Sequence, residues 1–186
     1  MAKKLFWKNQ MASEDVNSLL ISGRFYNDED VVAEVHDGAI VVVGDLEDHA
    51  LYAGVKDLNV RKITAPEAAT DAIAIVDVVN VSEGAINGVV YREGIKTTDM
   101  KQQAGVPVRV RVLKKYDSFN IGAGNIDGTP VVGEYLVPVA GSTLLAPSAE
   151  KVEGTTCFKV EAKLNLTEGV IDTDYKYLCT AVSVVE

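Results

Sequence analysis

The stretch Val106-Pro-Val-Arg-Val-Arg-Val-Leu113 constrains the fold of this chain more than any other. Val106, Val108, Val110 and Val112 fall on one side of an extended backbone, and Pro107, Arg109 and Arg111 fall on the other. Strict alternation at period two marks a strand with one buried and one wet face. Four β-branched residues suit the pleated buried side. A second alternation, Phe158-Lys-Val-Glu-Ala-Lys-Leu-Asn-Leu166, predicts another strand, and residues 175–185 predict a partner for it across a loop at 167–174. Between these strands, Gly122, Gly124, Gly128, Gly133 and Gly141 recur with Pro130, Pro138 and Pro147. That spacing suits tight turns joining short strands.

The N-terminal half reads less uniformly. Ser13-Glu-Asp-Val-Asn-Ser-Leu-Leu-Ile21 predicts a short helix with Ser13 as N-cap, acids in its first turn and a stop at Gly23. Residues 31–35 and 39–43 flank Asp37-Gly38 and predict a hairpin, since a type I′ turn asks for positive φ at both central residues. Residues 45–62 stay ambiguous: Leu51, Val55 and Leu58 suit a helical face, while Gly54 and Asn59-Val60 weaken it. Residues 72–81 form a near-continuous apolar run, expected to be a strand buried on both faces. Asn87-Gly88 is a further hairpin signal, and the polar run 96–105 predicts either a linker between halves or one long loop. The expected architecture is mainly β with minor helix: an N-terminal arm or short helix at 1–22, an α+β domain at 23–100 and a β domain at 101–186, each domain sandwich- or barrel-like.

Composition sets the functional bounds. A chain of 186 residues with 47% hydrophobic and 24% charged residues can bury a core and is not of disordered type. The formal net charge of −9 disfavours nonspecific contact with nucleic acid or an anionic membrane surface. No apolar run approaches the roughly 20 residues that cross a bilayer, and the lysines near the start precede no apolar signal core. The expectation is a protein that acts where it is made, or in a particle assembled there. Cys157 and Cys179 are expected to be buried free thiols, because a turn near residue 170 pairs Cys157 with a position well past Cys179.

Chemistry-bearing patterns are few. Gly122-Ala-Gly-Asn-Ile-Asp-Gly128 has its third glycine one residue too far for a dinucleotide loop, and Thr129-Pro130 stands where a helix should begin. Asp45-Leu-Glu-Asp-His49, with His36-Asp37 nearby in sequence, matches no calcium or zinc spacing and reads as an acidic, solvated helix start, and Asp28-Glu-Asp30 reads as a wet loop. Neither histidine accompanies a nucleophile motif. No catalytic residue, metal or cofactor is therefore expected. Partner contacts are expected instead. Lys4, Phe6, Trp7 and Lys8 form a cationic, aromatic terminus, read either as tucked onto the body or as an arm with an aromatic anchor. Arg109 and Arg111 read either as solvated or as contacts to an acidic partner.

Residues 55–65, Ile73-Ala-Ile-Val-Asp77, Val81-Ser-Glu-Gly84, Val90-Tyr-Arg-Glu-Gly94 and Gly105-Val-Pro-Val-Arg-Val-Arg111 resemble small structural proteins of tailed phages. The likeness continues through Asp117-Ser-Phe119, Gly128-Thr-Pro130, Gly133-Glu-Tyr135 and Val139-Ala-Gly-Ser-Thr143, and spans roughly residues 50–150. The family is that of capsid decoration (cement) or head-fibre proteins. It implies a non-enzymatic protein on the outside of the virion head, made in the host cytoplasm, whose partner is the major capsid protein and which can also meet copies of itself. The alternative is a carbohydrate or host-surface binding module, for which Tyr91, Tyr135, Tyr175 and Tyr177 are the candidate aromatics.

Overall fold

The computed structural model describes residues 3–48, 54–78, 83–86, 89–92, 100–165 and 175–185. The protein is mainly β, as its alternations predict. In chain order the strands are β1 (Phe6–Gln10), β2 (Leu20–Phe25), β3 (Val35–His36), β4 (Ile40–Asp48), β5 (Lys56–Thr64), β6 (Ile73–Asp77), β7 (Glu83–Ile86) and β8 (Val89–Arg92). They continue with β9 (Lys101–Gln102), β10 (Val108–Val112), β11 (Ser118–Gly122), β12 (Tyr135–Pro138), β13 (Leu145–Ser148), β14 (Cys157–Asn165) and β15 (Tyr175–Ser183). One four-residue helix, α1, covers Ala12–Asp15.

Two bodies result. β10-β2-β5-β4-β6 close into a barrel, in which only β2 and β5 run parallel. β1-β11-β15-β14-β12-β13 form an antiparallel six-stranded sheet. Sheet membership cuts across the expected halves. β10, from beyond residue 100, completes the barrel, and β1, from the N-terminal arm, sits in the sheet.

A five-stranded barrel leaves little interior room, so its lining mixes small and branched side chains. Val41, Ala74, Val76, Val108, Val110 and Ile63 belong to this inner cluster. Gly23 is the small member: a Cβ there would stand 2.7 Å from Ile63 Cγ2. Leu5, Val35 and Met100 join the same cluster. The second cluster lies between barrel and sheet. Ile40, Ile73 and Ile75 meet Phe6, Phe119, Ile121, Phe158 and Val160 there. Phe119 packs edge-on to Phe158, with centroids 5.2 Å apart, and tilted against Phe6 at 5.6 Å. Each such buried ring stabilises the fold by about 2 kcal/mol through apolar burial alone. β6 divides its residues between the clusters, Ala74 and Val76 to one and Ile73 and Ile75 to the other. It is therefore buried on both faces along its whole length, as expected.

Several local expectations are corrected. The helix begun near Ser13 ends at Asp15, and Leu20–Phe25 is a strand. Met11, not Ser13, is the N-cap residue, and Ser13 is buried. Gly38 has φ +74°, and Ala39 N donates to His36 O at 3.2 Å, so Asp37-Gly38 does turn the chain. Asp37 keeps negative φ, which makes this a type II rather than a type I′ geometry. The flanking strands do not pair with each other: β3 pairs with β9, and β4 with β5 and β6. Within 45–62, the described residues are strand rather than helix, apart from Gly54 and Val55. Register shifts in the β4–β5 ladder break the period-two signal there. The polar run 96–105 contains β9, and its first residues lie outside the described segments. The strands flanking Asn87-Gly88 do pair, Ile86 against Val89; the two turn residues also lie outside. β14 and β15 pair as expected. Cys157 stands opposite Ser183 and Cys179 opposite Val160, and both thiols are buried and free.

Candidate interaction surface

The arginines of the organising strand already hold an acid of their own chain. β10 pairs with β6 so that Arg109 stands opposite Asp77 and Arg111 opposite Ile75. Arg111 Nε and Arg109 Nη2 both reach Asp77 Oδ2 at 2.7 Å. Arg111 also donates to Ser13 Oγ at 3.0 Å and is 2% exposed. Neither solvent nor an outside acid meets Arg111; that expectation is corrected. On the face of β10 predicted to be wet, Pro107 stays exposed and Arg109 half-buried, while Arg111 is covered from the side of Ser13, and its buried guanidinium persists because Asp77 compensates it.

Of the two readings of the N-terminal residues, the structure takes the tucked one: β1 lies in the sheet against β11. Phe6 is fully buried among the chain's own aromatics and anchors no other protein. Trp7 is half-buried against the barrel cluster, with Lys176 Nζ 5.2 Å above its ring. Lys4 is half-buried, whereas Lys8 is exposed and ion-paired with Glu14. Three buried side chains, none read from the sequence as a fastening, hold the arm down. Asn125 Oδ1 accepts from Leu5 N at 2.8 Å, and Asp37 Oδ2 accepts from Phe6 N at 2.8 Å. Asp37 also accepts from Val78 N, its own carbonyl accepts from Asn125 Nδ2, and Asp117 Oδ1 accepts from Ala12 N, each at 2.8 Å. Asp37 carried a signal, but only as half of a turn dipeptide.

What the arm leaves exposed is backbone. β1 is one end of the six-stranded sheet. Gly122 N donates to Leu5 O at 2.8 Å while Phe6 stands opposite Ile121. Phe6 and Lys8 therefore occupy the non-hydrogen-bonded positions of this antiparallel ladder, and their amide groups face away from β11. Asp37 takes the Phe6 amide. Lys8, Asn9 and Gln10 are exposed along the same edge, with a register shift between Lys8 and Gln10. The other end of the sheet, β13, is four residues long and carries Pro147, which has no N–H to offer.

The remaining candidates are spent or outside the described residues. Asp45, Glu47 and Asp48 lie on β4 and border a polar cleft of about 340 Å³ with Arg24, Tyr26 and Lys56. Two of these acids are matched by bases, Glu47 by Arg24 and Asp48 by Lys56. Burial, then the neighbouring Glu47, raises the Tyr26 pKa, so its hydroxyl stays protonated. Among the described residues no group of three or more His, Cys, Asp or Glu converges as a metal site. His49 lies outside them and His36 lies on β3. Gly122 serves close packing rather than phosphate: a Cβ there would stand 2.4 Å from Lys3 O. Of the tyrosines, Tyr177 is buried, Tyr175 has Lys163 Nζ 3.9 Å above its ring, Tyr135 is half-buried on β12, and the Tyr91 side chain lies outside the described set. No described helix is long and apolar enough to cross a membrane.

No protein-family model, no curated protein and no solved structure matches this chain.

Proposed function

We propose that this protein is a capsid decoration (cement) protein, which binds the outside of a tailed-phage head and stabilises the lattice of the major capsid protein without catalysis or cofactor. The observation that carries this reading is the asymmetric sheet: one edge ends in a short proline-bearing strand, while the other presents Lys8, Asn9 and Gln10. An edge strand with an outward amide, here that of Lys8, docks an extended segment of another chain by adding it to the ladder. Because such a ligand favours only the assembled lattice, it shifts disassembly equilibria by mass action. The resemblance of residues 50–150 to phage structural proteins supports the same reading, as does an acidic chain whose strongest cations are internally paired. The place of action is the head surface, and a second copy of the chain is a further partner this edge accommodates.

The test is re-decoration of heads stripped of the protein. A Lys8→Pro variant removes the outward amide without touching the ladder to β11. Its occupancy on heads is expected to fall at least tenfold while its melting temperature stays close to that of the parent. Undiminished occupancy excludes the edge as the docking device. Failure of the parent protein itself to bind heads excludes the capsid role.

A further inference from the structure

The turn between β10 and β11 combines three features that the fold alone does not require. Tyr116 has φ +74°, a left-handed conformation uncommon for a residue with a Cβ and a large ring. Its side chain is 71% exposed, the most exposed large hydrophobic residue among those described. The turn is nevertheless held rigidly. Buried Asp117 accepts from Lys114 N at 2.8 Å and from Ala12 N at 2.8 Å, and Tyr116 N donates to Ala181 O at 2.8 Å. A glycine or asparagine would turn here without strain. A strained, exposed ring on a fixed turn is a feature to be explained by what it meets.

Beside this turn lies a groove of about 260 Å³, lined by Val43, Ala72, Val112, Leu113 and Val185 and rimmed by Lys114. Lys115 is exposed, its Nζ 5.0 Å over the Tyr116 ring. On a chain of net charge −9, an aliphatic slot rimmed by Lys114, with exposed Lys115 next in the turn, favours the opposite charge. Gln10 stands opposite Ser118, so the exposed end of edge strand β1 and this turn share one end of the sheet.

We propose that this turn and groove are a docking site for an extended partner segment that alternates acidic and aliphatic residues. One aliphatic side chain fills the groove, carboxylates meet Lys114 and Lys115, and Tyr116 closes over the segment. The inference rests on the capsid reading for the identity of the partner, and names the chemistry of the segment that partner would present.

Two variants separate binding from folding. Tyr116→Gly removes the ring and suits the left-handed backbone, so the fold is expected to be at least as stable. Ala72→Phe fills the groove from an exposed position. The probe is the peptide acetyl-ELELE-amide, with acetyl-KLKLK-amide as the charge-reversed control, followed by NMR shifts of the intact protein. The acidic peptide is expected to shift Val112, Leu113, Tyr116 and Val185, with binding at least tenfold weaker for the control and for both variants. Equal binding of the control peptide, or undiminished binding by the variants, overturns the proposal. On stripped heads, full occupancy by both variants overturns it while leaving the capsid role standing. If the parent fails to bind heads, the capsid role falls and the peptide result alone decides the groove.

Discussion

Asp77 is buried and accepts from two arginines through one oxygen, while Arg111 is itself almost inaccessible. Arg111→Ala takes one of its two arginines from buried Asp77 and leaves only the part-exposed Arg109, so the change is expected to cost about 2 kcal/mol in urea unfolding. The pair Asp77→Leu with Arg111→Met should recover most of that loss, because no fully buried charge is then stranded and Arg109, with its side chain 34% exposed, can turn to water. This residue-level fact was illegible in the sequence. Arg111 reads as solvated by its alternation with valines, and its acid stands 34 residues earlier. Only the β6–β10 register brings them together. Cys179 is the opposite case, legible and simple. Burial pushes its thiol pKa far up, with Glu161 adding to the effect, and a protonated thiol is a poor nucleophile. Folded protein at pH 8 is expected to leave Cys179 unmodified by a thiol reagent over the time in which unfolded protein reacts fully. Glu34 is held below the usual glutamate range chiefly by the hydrogen bond from Lys101. That contact therefore favours the folded chain above the ordinary glutamate pKa and is lost as pH falls through the depressed one. An NMR titration should show the Glu34 midpoint return toward normal in Lys101→Ala.

At the level of elements, legibility followed the regularity of pairing. β6, β14 and β15 were readable because each keeps a long apolar run or alternation. β4 was readable only as far as Val43, and β5 not at all, because shifts in their ladder put Gly44, Asp45 and Asn59 where a regular strand would alternate. The predicted helix at 13–21 failed for another reason. Ser13-Glu-Asp starts a helix well, but Ile21, Gly23 and Phe25 are claimed by the barrel, whose packing outweighs a weak local preference. The edge that carries the proposed function was invisible to sequence reading, which saw a cationic aromatic arm and not a strand seated by Asp37 and Asn125. The seating has a tight tolerance. Gly122→Ala brings a Cβ against Lys3 O and Leu5 N, both backbone atoms that cannot swing aside. It is expected to cost about 2 kcal/mol through overpacking, and to speed hydrogen exchange in β1 more than in β14.

For the whole molecule, the second apolar cluster decides how the bodies behave. Ile40, Ile73 and Ile75 come from the barrel, and Phe6, Phe119 and Phe158 from the sheet, yet they form one contiguous core. Neither body can open without exposing that core, so barrel and sheet are expected to unfold together. Fluorescence of Trp7, the sole tryptophan, and release of the Cys179 thiol should give coincident denaturation midpoints. Two separated transitions would show that the bodies are independent after all. The same interlacing orders events in time. Leu5 is held by Asn125, 120 positions later in the chain, and the barrel cannot close until β10 has been made. On the ribosome, β1 must wait, with Phe6 bare, until Asn125 has emerged before it finds its berth.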